Sequence, residues 1–264
     1  MDREPAVAGR FYTDDAATLV RQVDRFLAAG GPRVRARGVV APHAGYVYSG
    51  AVAGAVYARV DVPPRVIVLG PNHTGLGKAA ALWPGGTWHL PSGDVPVDAA
   101  LTAALAASRL VEPDPEAHLL EHSLEVQVPF LARARPGVAI AALCLGPLSY
   151  EQCEELGEDV ARAARDAGAL VVASSDMSHY VTAATAREKD HRAIAKLLAL
   201  DPEGLYDVVR REKITMCGIV PATVMLVATK ALGATGAELV RYANSGDVNG
   251  DTRQVVGYAG VLIS

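Results

Sequence analysis

Apolar positions along the chain alternate between two signatures: short unbroken runs and stripes at helical spacing. Leu19, Val20, Val23, Phe26 and Leu27 recur every three or four residues after Thr13-Asp14, whose side chains suit a helix start. Gly30-Gly31-Pro32 ends that pattern. The runs Gly38–Ala41 and Arg65–Leu69 then stop at Pro42 and at Gly70-Pro71, and both read as buried strands, with a helix expected over Ser49–Val60 between them. Further buried strands are expected at Val138–Leu145, Leu170–Ser174, Leu239–Ala243 and Val255–Ile263, interleaved with helices at Tyr150–Ala167 and Ala184–Leu200. Such alternation predicts an α/β architecture, a central mostly parallel or mixed sheet flanked by helices. The longest loop-like stretch, Trp83–Pro96, has the length of one irregular excursion, and neither a linker nor a repeat interrupts the pattern. One domain over residues 1–264 is expected.

Composition narrows the function classes. Half of the 264 residues are hydrophobic and a fifth charged, the balance of a folded globular chain. A formal charge of −4 without a basic run gives no phosphate-neutralising surface, so no nucleic acid partner is expected. The start Met1-Asp2-Arg3-Glu4-Pro5 lacks a secretory pattern, and the longest apolar run, Ile219–Thr229, is too short for a membrane span, which needs about 20 residues. Three cysteines, Cys144, Cys153 and Cys217, form neither a CxxC pair nor an even set, which suits a reducing cytoplasm.

Candidate chemistry collects where strands end. Pro42-His43-Ala44-Gly45-Tyr46, Pro71-Asn72-His73-Thr74-Gly75 and Ser175-Asp176-Met177-Ser178-His179 each follow an expected strand. The carboxyl edge of an open α/β sheet is where ligand crevices form. His43 and His73 suit metal ligation, because neutral imidazole is the commonest side-chain ligand and two of them leave positions open. Cys217, just before a helical run, is a candidate third ligand or a nucleophile, against its alternative as a small buried apolar residue. Asp176 and His179, three apart, suit acid–base work, with Asp176 expected to orient His179. His118-x-x-Glu121-His122 has the spacing of inverted zinc peptidases, and on one helix its histidines would share a face. The histidine loops outweigh that five-residue pattern, and His122 and Glu125 are expected instead to support the same crevice, His122 as a proton-moving candidate. Tyr46, Tyr48 and Tyr180 flank the histidine loops. His89, His191, Cys144 and Cys153 lie in no motif, and no nucleotide-binding fingerprint occurs.

Taken in order, Pro5–Tyr12, Ala41–Tyr46, Gly70–Thr74, Glu121–Glu125, Ser174–Tyr180, Cys217-Gly218 and Val256–Ala259 resemble the Memo family, whose bacterial and archaeal members are called AmmeMemoRadiSam system protein B. The resemblance runs from about residue 4 to the end of the chain. It implies a fold like that of the class III extradiol (LigB-like) dioxygenases, non-heme iron enzymes with two histidines and a carboxylate. It also implies a crevice of two histidines and a cysteine, here His43, His73 and Cys217, with Asp176 and His179 nearby and His122 in a less defined role. Fe(II), or alternatively copper, is the implied cofactor, with a small-molecule or peptide substrate. A radical-SAM protein and an AMMECR-type protein are the implied partners. The reading that follows is a metal-dependent redox enzyme. Its alternatives are a hydrolase with Cys217 as nucleophile and a non-catalytic module that holds a peptide or partner.

Overall fold

The computed structural model describes residues 1–28 and 30–264. In chain order the elements are α1 (Ala16–Leu27), β1 (Gly38–Ala41), α2 (Tyr46–Ala58), β2 (Arg65–Pro71), β3 (Ala80–Leu82), β4 (Thr87–Trp88), β5 (Val95–Pro96), α3 (Ala99–Ala106), β6 (Glu112–Pro113), α4 (Glu116–Leu119), a 3₁₀ turn (Glu125–Gln127), α5 (Val128–Ala134) and β7 (Ala139–Leu145). There follow α6 (Tyr150–Ala167), β8 (Leu170–Ser174), β9 (His179–Val181), α7 (Ala183–Leu198), α8 (Pro202–Arg211), α9 (Ile219–Ala231), β10 (Ala237–Asn244), α10 (Gly246–Asn249) and β11 (Val255–Ile263).

One mixed sheet organises these elements in the order β10-β11-β1-β8-β2-β7-β3-β6. Its centre, β1-β8-β2-β7, is parallel, whereas β11 runs antiparallel to β1 and β10, and β3 runs antiparallel to β7. Apart from Arg65 at the start of β2 and Ser174 at the end of β8, the parallel strands are apolar because both faces are covered. Successive side chains point to opposite faces, so Ile67 and Leu69 of β2 enter one core with α6 and α9, while Val66 and Val68 enter the other with α1, α2 and α5. Helices α2 and α9 are buried nearly all round and show no strong stripe, as expected of helices pressed between a sheet and further helices. Close packing at α2 requires Gly54, where a Cβ would lie 2.4 Å from the Cβ of Phe26 in α1 and 2.7 Å from that residue's backbone.

Most expected elements are present, several with unchanged ends and the others with ends shifted by up to three residues. Helix α1 is capped by Asp15, which accepts the Thr18 amide at 2.8 Å, rather than by Thr13 or Asp14. The stretch expected to be irregular, Trp83–Pro96, holds the β4–β5 ladder. Among the described residues no helix is long and apolar enough to cross a membrane.

Candidate functional site

Strand order alone brings three of the expected loops together. Because β8 lies between β1 and β2, the carboxyl ends of these neighbouring parallel strands deliver His43, Asp176 and His73 to one edge. Pro42 halts β1 and leads through His43 into α2. After β2, the Asn72 side chain accepts the Thr74 and Gly75 amides at 3.1 and 2.9 Å, closing a turn around His73. Cys217 arrives from far along the chain. The next residue, Gly218, sits so close to the end of β8 that a Cβ there would lie 2.4 Å from the Ser174 carbonyl oxygen, and only glycine permits that approach.

Donor atoms of His43, His73 and Cys217 all lie within 4.8 Å of one another. The Cys217 Sγ is 3.2 Å from His43 Nε2 and accepts the Asp176 amide at 3.3 Å. His43 and Asp176 are buried at the floor, whereas His73 is exposed and His122, His179 and Cys217 are partly open.

Each imidazole is fixed through its other nitrogen. Ser174 Oγ gives its one proton to the Ser123 carbonyl at 2.6 Å and accepts from the Gln127 amide at 2.7 Å. Its 2.8 Å contact with His43 Nδ1 is therefore an N–H donated by the ring, which leaves Nε2 with a free lone pair facing the sulfur. Gln127 is held in turn by Tyr57, whose hydroxyl donates to its Oε1 at 2.9 Å, and by the Pro42 carbonyl, which accepts its Nε2 at 3.0 Å. For His73 the fixing group is Glu121, which accepts the backbone amide at 2.5 Å and the ring Nδ1 at 2.9 Å. A carboxylate behind one imidazole nitrogen is the usual support for a metal-ligating histidine.

A second trio, His73, Glu121 and His122, also places its donor atoms within 4.8 Å. Glu121 is already occupied, however. Besides His73 it accepts the His122 and Ser123 amides, both at 2.9 Å. That leaves the first trio as the one with uncommitted lone pairs.

Electrostatics sort the titratable groups. Burial lowers His43 well below the usual histidine value, and the neighbouring His122 and His73 add to the effect. His122 is pushed down to about 4, again mainly by burial, against the pull of Glu121. Burial acts to raise Glu121, but the His73 hydrogen bond and charge with the surrounding amides bring its pKa down to about 2. Asp176 is pushed up to about 6 by burial, opposed by the His43 amide and by His179. The protein packed round Cys217 raises its thiol, and the Asp176 carboxylate raises it further.

Several expected roles change. Asp176 accepts the His43 amide at 2.7 Å and does not hold His179, whose Nδ1 donates to the Thr215 carbonyl at 2.9 Å. His118 and His122 do not share a helix face, because α4 ends at Leu119. His118 is fully buried between Trp83 and Trp88 with Nε2 on the Ala81 carbonyl at 3.0 Å, so the HxxEH spacing forms no peptidase site. Glu125 turns away from the crevice to Arg3, at 2.6 Å, and to the Tyr12 hydroxyl, at 2.6 Å. Sequence reasoning missed Glu121 as the support of His73 and Ser174 as the support of His43. Both stand within the family-like blocks, and their position beside histidine loops was the available signal.

Comparison with known proteins follows the same lines. A family model described as Memo-like protein matches residues 3–262. The chain is 44% identical over 263 residues to a MEMO1 family protein of Aquifex aeolicus, covering 98% of each chain. It is 40% identical over 274 residues to MEMO1 family protein MTH_45 of Methanothermobacter thermautotrophicus, covering 98% of this chain and 99% of that one. In fold it resembles the crystal structure of the uncharacterized protein JW3007 from Escherichia coli K12, with a TM-score of 0.53 and 17% identity over 84% of this chain and 99% of that one. With a match along nearly its whole length, the chain belongs to the Memo-like protein family.

Proposed function

We propose that the crevice is a metal-dependent redox site in which His43, His73 and Cys217 hold one first-row metal ion, Fe(II) before copper, and act on a small-molecule or peptide substrate. One observation carries the reading: three soft or borderline donors converge within 4.8 Å while Ser174 and Glu121 tie up the second nitrogen of each imidazole. When bound, the metal would supply coordination sites for dioxygen or substrate and a centre for electron exchange.

The remaining chemistry belongs to the chain. His122 and His179 stand at the open side, His122 neutral at physiological pH and His179 held through Nδ1, so each offers its other nitrogen for proton transfer. Asp176 holds the His43 backbone and sits against Cys217, which keeps these two donors in register. Tyr48, Leu76, Leu120 and Tyr180 are exposed apolar or aromatic residues on the segments that carry the crevice histidines. Catechol ring opening is not carried over from the dioxygenases, since a thiolate in place of their carboxylate donates more charge and is itself oxidisable. The hydrolase reading, in which Asp176 orients His179 to activate Cys217, is disfavoured because His179 Nδ1 is held by the Thr215 carbonyl and Asp176 by the His43 amide.

An oxygen electrode tests redox function. Protein loaded anaerobically with Fe(II) and supplied with ascorbate is expected to take up dioxygen on the order of tenfold faster than His43→Ala or Cys217→Ser protein treated alike. Equal rates in all three would defeat the redox reading.

A further inference from the structure

The four central parallel strands have a second edge. Opposite the histidines, Arg35–Arg37 lead into β1, Asp61–Pro64 into β2, Arg135 precedes β7 and Arg165 lies in the last turn of α6 before β8. Together these segments line an open cavity of about 710 Å³. Arg35, Arg37, Arg135 and Arg165 line it beside one acidic side chain, Asp61, in a chain whose formal charge is −4.

Some arginines elsewhere are paired with carboxylates, while other, exposed ones, among them Arg25, Arg33 and Arg241, have none at ion-pair distance among the described residues. Arg59 pairs with Glu238, Arg65 with Asp98, Arg109 with Glu155, Arg133 with Asp24 and Arg192 with Glu212. What distinguishes the cavity is that four arginines share it: Arg35, Arg37 and Arg135 have no carboxylate at ion-pair distance among the described residues, and Arg165 gives one N–H to the Ala231 carbonyl at 2.8 Å. Guanidinium forks match phosphate and carboxylate oxygens in pairs and stay charged at any physiological pH. Unpaired like charges around one cavity repel, and a ligand with several negative groups relieves that repulsion. The remaining wall is mostly aliphatic, including Val62, Pro63, Pro64 and Leu232, with Ser264 and its terminal carboxylate as a further polar group, no aromatic ring to stack a base and no histidine or cysteine to hold a metal.

We propose that this cavity binds a small molecule carrying two or more phosphate or carboxylate groups, at a site separated from the histidine crevice by the length of the strands. Calorimetric titration of the full chain with tripolyphosphate, orthophosphate and citrate tests it. Tripolyphosphate or citrate is expected to bind saturably, one per chain, with orthophosphate about tenfold weaker or more. The stronger of the two polyanions identifies the ligand as a phosphate ester or a polycarboxylate. An Arg37→Gln/Arg135→Gln variant, which changes only exposed side chains, should weaken binding by about tenfold or more, while His43→Ala leaves it unchanged. Binding that survives the double arginine variant, binding that disappears in His43→Ala, or no saturable binding of either polyanion would overturn the proposal.

Discussion

Glu125→Ala is expected to lower the free energy of unfolding by about 3–5 kcal/mol, the usual consequence of stripping one partner from a buried ion pair. Glu125 is wholly buried and accepts from the Arg3 guanidinium at 2.6 Å, the Ala6 and Val7 amides at 2.7 and 3.1 Å, and the Tyr12 hydroxyl at 2.6 Å. Its removal leaves Arg3, itself 1% exposed, as an uncompensated charge, and leaves buried donors unpaired. The effect reaches the site. Arg3 also donates to the carbonyls of His118 and Glu121, at 2.9 and 2.7 Å through its Nη2, so the same pair clamps the segment that carries Glu121 and His122. Urea unfolding measures the loss, and a decrease below about 1 kcal/mol would mean that this clamp is not the anchor of the amino-terminal segment. In a double-mutant cycle, Arg3→Met combined with Glu125→Leu should cost less than the sum of the single changes, since the stranded charge is gone.

Glu121→Gln is expected to weaken metal binding by about 10–100-fold, although the side chain touches only the far side of one proposed ligand. The carboxylate receives both the amide and the Nδ1–H of His73 and thereby aims Nε2 at the crevice. An amide of the same shape must turn its NH₂ either toward the His73 amide now on Oε2 or toward the three donors now on Oε1, the His73 ring among them. The imidazole then gains rotational freedom and an alternative tautomer. Anaerobic competition against a chelator of known affinity gives the ratio. An affinity within about twofold of the parent would remove Glu121 from the support of the site.

Legibility in the sequence followed the range of the interactions. Strands β1, β2, β7 and β8 were recognisable because each is a short apolar run ended by a turn former, and local composition suffices for that. The histidine loops were recognisable for the same reason, as polar interruptions at strand ends. What Glu125 and Glu121 do was not legible, since their partners include Arg3, 122 residues away, and His73, 48 residues away. The HxxEH pattern misled in an instructive way. Glu121 folds back onto the His122 and Ser123 amides, and those bonds replace the helical ones that would have put His118 and His122 on one face. Asp176 was placed at the site by its position after β8, but spacing suggested His179 as its partner, whereas strand pairing set it beside His43, 133 residues earlier. Approach of Cys217 to the histidines depended on Gly218 meeting β8, a contact that no local pattern encodes.

Metal content decides the central claim. Mass spectrometry on anaerobically purified protein, beside His43→Ala, His73→Ala and Cys217→Ser variants, is expected to find near-stoichiometric iron or copper in the parent and loss of it in every variant. Full retention of metal in any two of the variants, or a parent that takes up neither Fe(II) nor Cu(I) when they are offered, would contradict a metal site built from these three residues.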